Sequence, residues 1–453
     1  MRGDAIPARN NADWSSLSPQ PPAILVRPTS TEDVAHVLRI CSEAGMPVVP
    51  QGGLTGVSGG ARPVAGCVAL SMERFVGVEN IDEAASTMTV RAGTPLEVVQ
   101  KAAAERGLYF PLDLGARGSC AIGGNVSTNA GGNRVIRYGM TRDLVLGMEV
   151  VLPDGTVLTN LNKMLKNNTG YDLRQIFVGA EGTLGVVTRL VLRLFPQPVS
   201  TLAAVCGVAD YGRVLALLAG ARKRLGPSLS AFEVMWADYW EVAARRVPNV
   251  RDPLEGDHPF HVLVELQGSD EDIDGQRFQS WIEAEFEAGT VTDAALSQSL
   301  ADVAAFWGSR DAASEFIQVL GPHLSFDISL SVGDMDAYAA ACRDRLAARI
   351  DGCQAMFYGH IADGNMHIIA WVPGAPKQPD TEVYDVIYGL VREYGGSVSA
   401  EHGIGLTKKN YLSYSRSEPE LALMRTIKRA LDPGNIMNPG KVFDMPATGE
   451  SRS

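Results

Sequence analysis

Three of the seven histidines fall in two short motifs: His360 and His367 in HIADGNMH, and His402 in AEHGIG, where Glu401 precedes it. Imidazole with carboxylate is a normal first shell for Zn2+ or a similar divalent ion. The Asp363-Gly364-Asn365 turn is expected to fold two strand ends together, so that His360 and His367 face one point. The spacing alone is weak evidence, because histidines so placed are more often solvated or core residues.

A second kind of chemistry is written in glycine. The stretch YFPLDLGARGSCAIGGNVSTNAGGNRVIRYGM (109–140) holds seven glycines among Ser, Thr and Asn, with no helical or strand period. Glycine lets backbone approach a ligand closely, and N–H groups wrapped around an anion are the expected use. A flexible linker is the bland alternative. The apolar Pro111, Leu112, Leu114, Ile122, Val126 and Val135, and the strand signals that follow, oppose it. QGGLTGVSGGA (51–61) is a second cluster placed directly after a strand, a recurring way to aim N–H groups at a diphosphate. No GxGxxG occurs. From Gly434 to Gly440-Lys441 there is one residue too many for a P-loop, and Val442 stands where Ser or Thr belongs. Neither a nicotinamide-binding Rossmann unit nor a P-loop is expected.

The elements that must position these groups read as mixed α/β. AILVRP (23–28) is a strand and residues 31–45 an amphipathic helix, followed by the strand PVVPQGG. TMTVRAG (87–93) is a strand, and a helix should start at Thr94, with Pro95 first, Glu97 closing a capping box and Gly107 beyond its end. LVLGMEVVLPDGTVL (144–158) reads as two strands joined at Pro153-Asp154-Gly155, and LGVVTRLVLRLFP (184–196) as another closing at Pro196. After Pro198 longer units alternate: strand 261–268, helix 270–287, strand 324–332 and a helix to Ile350. A strand from Ala355 enters HIADGNMHIIAWV, and a last helix spans about 417–431. The tail MPATGESRS (445–453) is polar and expected to fray.

The 453 residues suit two or three domains, and 45% hydrophobic with 20% charged residues is ordinary for a soluble globular chain. A net charge of −12 argues against a nucleic-acid partner. Six scattered cysteines without CxxC fit reduced thiols in the cytoplasm. No apolar run approaches a membrane span and the start lacks an apolar signal region, so a cytoplasmic location is expected, with peripheral membrane contact as the alternative.

Taken in order, PQGGLTG, PLDLGARGSCAIGGNVSTNAGG, RYG, NNTGYDL, VGAEGTLGVVT, GHIADGNMH, SAEHGIG and DPGNIMNPGK span nearly the whole chain. The chain thereby resembles FAD-binding oxidoreductases of the vanillyl-alcohol-oxidase and p-cresol-methylhydroxylase type, in the D-2-hydroxy-acid dehydrogenase branch. The resemblance implies an α+β fold. A two-part FAD-binding domain of mixed α/β subdomains (1–198) is joined by an α/β substrate, or cap, domain (199–400). A C-terminal segment (401–453) returns to the flavin. FAD would be held by Pro50, Gln51, Gly52, Gly53, Leu54, Thr55, Gly56, Pro111, Leu112, Gly118, Ser119, Gly123, Gly124, Asn125, Thr128, Asn129, Gly131, Glu181, Gly182, Gly185, Val187 and Asn438. The first glycine cluster lacks the histidine that some relatives use for covalent attachment, so noncovalent FAD is expected. The resemblance makes His360, His367 and Glu401 the metal ligands, with Zn2+ the favoured ion, and His402 the base, an imidazole suited to accepting a proton near neutral pH. Arg310, in FWGSRDAAS, would grip the substrate carboxylate bidentately. Ser314, one turn on, would share its face.

Two positions depart from the hydroxyglutarate-oxidising members. Ser325 stands where they carry a substrate-binding Lys, and Ile369 where they carry an Asn two residues after the second histidine. An unpaired second carboxylate would be costly to bury. A monocarboxylic D-2-hydroxy acid, lactate-like or with an apolar tail, is therefore the expected substrate, although His323 or another basic residue could compensate. The alternatives are a D-2-hydroxyglutarate dehydrogenase, an O2-using oxidase and a flavin-binding accessory subunit. Electrons would pass to an electron-transfer flavoprotein, a cytochrome or a quinone, and a homodimer is compatible with the sequence.

Overall fold

The computed structural model describes residues 1–446, so the expected frayed tail lies outside the described residues from Ala447 onward. Two compact units share the described chain: residues 1–132, 139–197 and 401–446 form the first, and residues 133–138 with 198–400 the second.

The first unit carries two main sheets. Ile24–Val26, Val68–Ser71 and Val48–Gln51 form a parallel sheet, in that order. The helix Thr31–Glu43 lies between the first and last of these strands in the chain, and it starts with a capping box between Ser30 and Asp33. The second sheet is antiparallel: Val78–Asp82, Thr87–Arg91, Val186–Arg193, Val145–Val151, Val157–Asn160. Its central strands are buried along nearly their whole length, which is why they read as continuous apolar runs.

Two local expectations need correction. The helix after Thr87–Arg91 is Leu96–Ala104, with Pro95 at its cap and no side-chain cap bond. The Thr94 hydroxyl donates instead to Arg91 O at 2.7 Å and accepts from Gly77 N–H at 2.9 Å, and Glu97 pairs with Lys101. The turn thus consumes the group a capping box needs. The strand expected to run to Pro196 stops at Arg193. Phe195–Pro196 is a separate short strand against Leu108–Tyr109.

The second unit is one seven-stranded sheet, ordered Asp293–Leu296, Ser200–Val208, Phe260–Gly268, Leu229–Trp236, Gln354–Gly359, Asn365–Trp371, Leu324–Ser329, with every neighbouring pair antiparallel. One face packs Met235, Leu263, Met356, Ile369 and Trp371 against Tyr239, Trp240, Val303, Phe306 and Trp307 of the helices Ala237–Arg246 and Leu300–Asp311. Arg134, on the excursion 133–138, is bound to this unit. Its guanidinium makes two bonds to Glu265, at 2.8 and 2.9 Å, and the same carboxylate takes Trp307 Nε1–H and Ser230 Oγ–H at 2.8 Å each.

Candidate active site

In the first unit the two glycine clusters wall one cleft of about 340 Å3. Pro50 to Gly56 come straight off the end of Val48–Gln51. Gly123, Gly124, Asn125 and Thr128 come from the short helix Ile122–Thr128, with Gly131, Glu181, Gly182, Gly185 and Val187 completing the expected lining. Gly53 is forced: a Cβ there would stand 2.0 Å from Ser119 O. The Oδ1 of Asn125 is buried with no hydrogen-bond partner among the described residues. A backbone cradle with an orphaned polar atom fits a cofactor such as FAD.

Six expected cofactor residues are absent from that lining: Pro111, Leu112, Gly118, Ser119, Asn129 and Asn438. Their structural work is visible for several. Ser119 offers the carbonyl against Gly53. Asn129, left-handed at φ 50°, ends the helix, and its Oδ1 accepts from Arg142 N–H at 3.0 Å. Asn438 Nδ2–H bonds Gly60 O and Glu181 O at 2.9 and 2.7 Å. Ser58, Gly60, Ala61, Leu114, Gly115, Ala116, Cys120 and Ala121 also line the cleft. They sit inside the two motifs already singled out, so motif membership was the available signal.

Glu401 and His402 line the same cleft. Both carboxylate oxygens of Glu181 accept backbone N–H groups, from Ile404 at 2.7 Å and Gly405 at 2.8 Å. Burial pushes the Glu181 carboxyl up, and those two N–H bonds oppose the shift. Ser58 Oγ–H bonds His402 O at 3.1 Å. The AEHGIG loop is therefore stitched to the flavin loops, and Glu181 serves as its clamp.

In the second unit the Asp363-Gly364-Asn365 turn performs as expected. Tyr358 pairs with His367 across neighbouring strands, His360 caps the turn, and the two imidazoles lie 5.5 Å apart between centroids, both buried. Arg310, at the end of Leu300–Asp311, reaches His360 Nε2 with Nη2 at 2.8 Å and lies over the Tyr358 ring. Between them stands Glu233, 1% exposed, which accepts from Arg310 Nε–H at 2.8 Å and meets His360 Nδ1 at 2.6 Å. Burial works against its ionisation, but the Arg310 charge and the hydrogen bonds of His360 and Arg310 hold its carboxyl below the ordinary range. Asp327, fully buried opposite His367, accepts from Asn365 Nδ2–H, Ser399 Oγ–H and Ala400 N–H, and so fixes the chain where SAEHGIG begins.

Ser314 does not join this cluster. The helix ends at Asp311, and Ser314 lies exposed in the following 3-10 turn, its hydroxyl donating to Asp311 O at 2.9 Å. Ser325 and Ile369 are direct register partners, two residues along their strands from Asp327 and His367. Ser325 is exposed, while Ile369 is buried among the tryptophans of the core.

Backbone-walled cleft and fold together define a flavoprotein oxidoreductase of two-unit build. Residues 22–160 match an FAD binding domain family, and residues 197–442 match FAD linked oxidases, C-terminal domain. The chain belongs to the FAD-linked oxidases, in the group that contains the D-2-hydroxyglutarate dehydrogenases. It is 38% identical to the mitochondrial D-2-hydroxyglutarate dehydrogenase of Bos taurus, over 96% of this chain and 79% of that protein. It is 38% identical to the D-2-hydroxyglutarate dehydrogenase of Xanthomonas citri pv. viticola, over 95% of this chain and 91% of that protein. Among solved structures it resembles p-cresol methylhydroxylase with substrate bound, at TM-score 0.75 and 18% identity, covering 96% of this chain and 92% of that one. It also resembles 4-ethylphenol oxidase from Gulosibacter chungangensis, at TM-score 0.71 and 19% identity, over 94% and 90%. The expected fold is the observed one.

Proposed function

We propose that this FAD-linked enzyme oxidises a D-2-hydroxy acid to its 2-oxo acid and passes the electrons to an electron-transfer flavoprotein, a cytochrome or a quinone. The observation that carries the reading is the buried Arg310–Glu233–His360 cluster in a chain whose other unit holds a flavin cradle. The division of labour expected from the sequence goes with it: a flavin half, a substrate half, and a C-terminal segment that completes the site.

Noncovalent FAD would supply the hydride acceptor, and a divalent ion, Zn2+ favoured, would supply a Lewis acid. His360, His367 and Glu401 are the residues proposed to hold the ion. His360 fits that role, since its Nδ1 is engaged by a carboxylate, the outer-shell arrangement of metal-bound imidazoles. Arg310 binds and orients the substrate carboxylate, and His402 accepts the hydroxyl proton.

The favoured substrate is monocarboxylic. Ser325 and Ile369, paired across two strands, offer no cation for a distal carboxylate. The second reading is D-2-hydroxyglutarate, supported by the names of the relatives in Bos taurus and Xanthomonas citri. The cytoplasm is the proposed location, and no helix among the described residues is long and apolar enough to cross a membrane.

The test is an anaerobic flavin-bleaching screen over D- and L-2-hydroxy acids, with and without chelator. Bleaching by D-lactate-like acids, lost on chelation, is expected. Preference for D-hydroxyglutarate would move the assignment to the second reading, and bleaching that survives metal removal would remove the ion. No bleaching by any acid would leave a flavin-binding accessory subunit. Dye reduction without peroxide formation is expected of a dehydrogenase and the reverse of an oxidase.

A further inference from the structure

Glu233 has two carboxylate oxygens with different duties. Oε1 meets His360 Nδ1 at 2.6 Å, and Oε2 accepts from Arg310 Nε–H at 2.8 Å. The third side of the triangle is Arg310 Nη2 to His360 Nε2, at 2.8 Å. An arginine keeps its proton, so Nη2 can only donate. Nε2 is therefore the acceptor, and the ring proton sits on Nδ1, donated to Glu233. That is the tautomer a metal-binding imidazole needs. Its Nε2 lone pair is met here by a cationic group of the chain itself.

We propose that Glu233 is a positioning residue that sets the His360 tautomer and holds Arg310 as an exchangeable cation on Nε2, so that a divalent ion and the guanidinium compete for one lone pair. The inference rests on the 2-hydroxy-acid reading above. With His360 Nε2 given to an ion, Arg310 Nη2–H would be released from His360 and become available to a substrate carboxylate. Glu233 keeps its bond to Nε throughout, so the guanidinium pivots and stays in reach. Ion binding and carboxylate recognition are then coupled through one buried acid. A plain structural ion pair would give Glu233 a role in stability and nothing more.

Glu233→Gln separates these roles. Arg310 Nε–H can bond only the amide oxygen, which turns the amide NH2 toward His360 Nδ1 and drives the ring proton onto Nε2. Chelator-buffered Zn2+ titration of the FAD-loaded variant should show affinity lowered about 10- to 100-fold. KM for the acid should rise more than kcat falls, with FAD content unchanged. Glu233→Asp, which keeps a carboxylate, should recover part of the Zn2+ affinity, and Arg310→Gln should bind Zn2+ at least as tightly as wild type while KM rises. Wild-type Zn2+ affinity and KM in Glu233→Gln would overturn the inference. If that variant fails to fold, 15N-histidine NMR of the metal-free wild type decides: His360 protonated on Nδ1 supports the proposal and on Nε2 overturns it. Wild type that neither binds Zn2+ nor is bleached by any acid removes the functional reading, and the tautomer measurement still decides the role of Glu233.

Discussion

The flavin cleft of the first unit is walled mostly by backbone and small side chains, and at Gly53 there is no space for even one more carbon. The cluster of the second unit is made of charged side chains from distant strands and helices, buried and bonded to one another. Each region fails in its own way. A backbone cradle is ruined by adding a Cβ. A buried charge network is ruined by taking one partner away, because the remaining charge has lost its compensation in a medium that solvates it poorly.

The sharpest way to press that contrast is Gly53→Ala. Its Cβ would meet Ser119 O at 2.0 Å, and backbone cannot yield as a flexible side chain can. The purified variant should carry almost no flavin absorbance, and wild-type flavin content would contradict a backbone-made bed. The opposite operation in the second unit is Arg134→Met, which strands the fully buried Glu265. Urea unfolding should show a loss of about 3–5 kcal/mol. A loss below about 1 kcal/mol would mean that Trp307 and Ser230 suffice for that carboxylate.

The smallest expected effect comes from a buried polar residue without partners. His261 stacks on Trp240 at 4.1 Å, and both its ring nitrogens lack a partner among the described residues. Burial, and to a lesser degree His258, push its pKa down from 6.5 to about 3. Between those values the unfolded chain takes up the proton that the folded chain refuses, so stability is present above pH 6.5 and is lost as pH falls toward 3. His261→Phe should remove this acid loss, about 1–2 kcal/mol at pH 5. Equal acid sensitivity in both proteins would mean that His261 charges within the fold.

Legibility in the sequence follows the same divide. Pro50 to Gly56 and Gly123 to Thr128 are contiguous, each attached to one element, so the cleft they wall is local and its glycines announce it. Glu233 is 77 residues from Arg310 and 127 from His360; the pairing of Val234 with Gly359 across an antiparallel sheet brings it to His360, and the end of the helix Leu300–Asp311 brings Arg310 to both. Its strand, LSAFEVMW, buries every residue and so hides the alternation that marks a strand. A single acid inside such an apolar run was the available signal. The placements of Ser314 and Thr94 are hidden in the sequence for a simpler reason. Helix ends are decided by which nearby backbone groups claim a hydroxyl, and Asp311 O and Arg91 O claimed these two.

If flavin binding and substrate chemistry are housed separately, they should be separable in one variant. His360→Gln, loaded with FAD and mixed anaerobically with the best D-2-hydroxy acid, tests this by stopped-flow flavin reduction. The account predicts wild-type flavin stoichiometry with reduction slowed at least about a hundredfold, since several kcal/mol of transition-state stabilisation would be gone. Reduction at the wild-type rate, or loss of the flavin along with the activity, would contradict it.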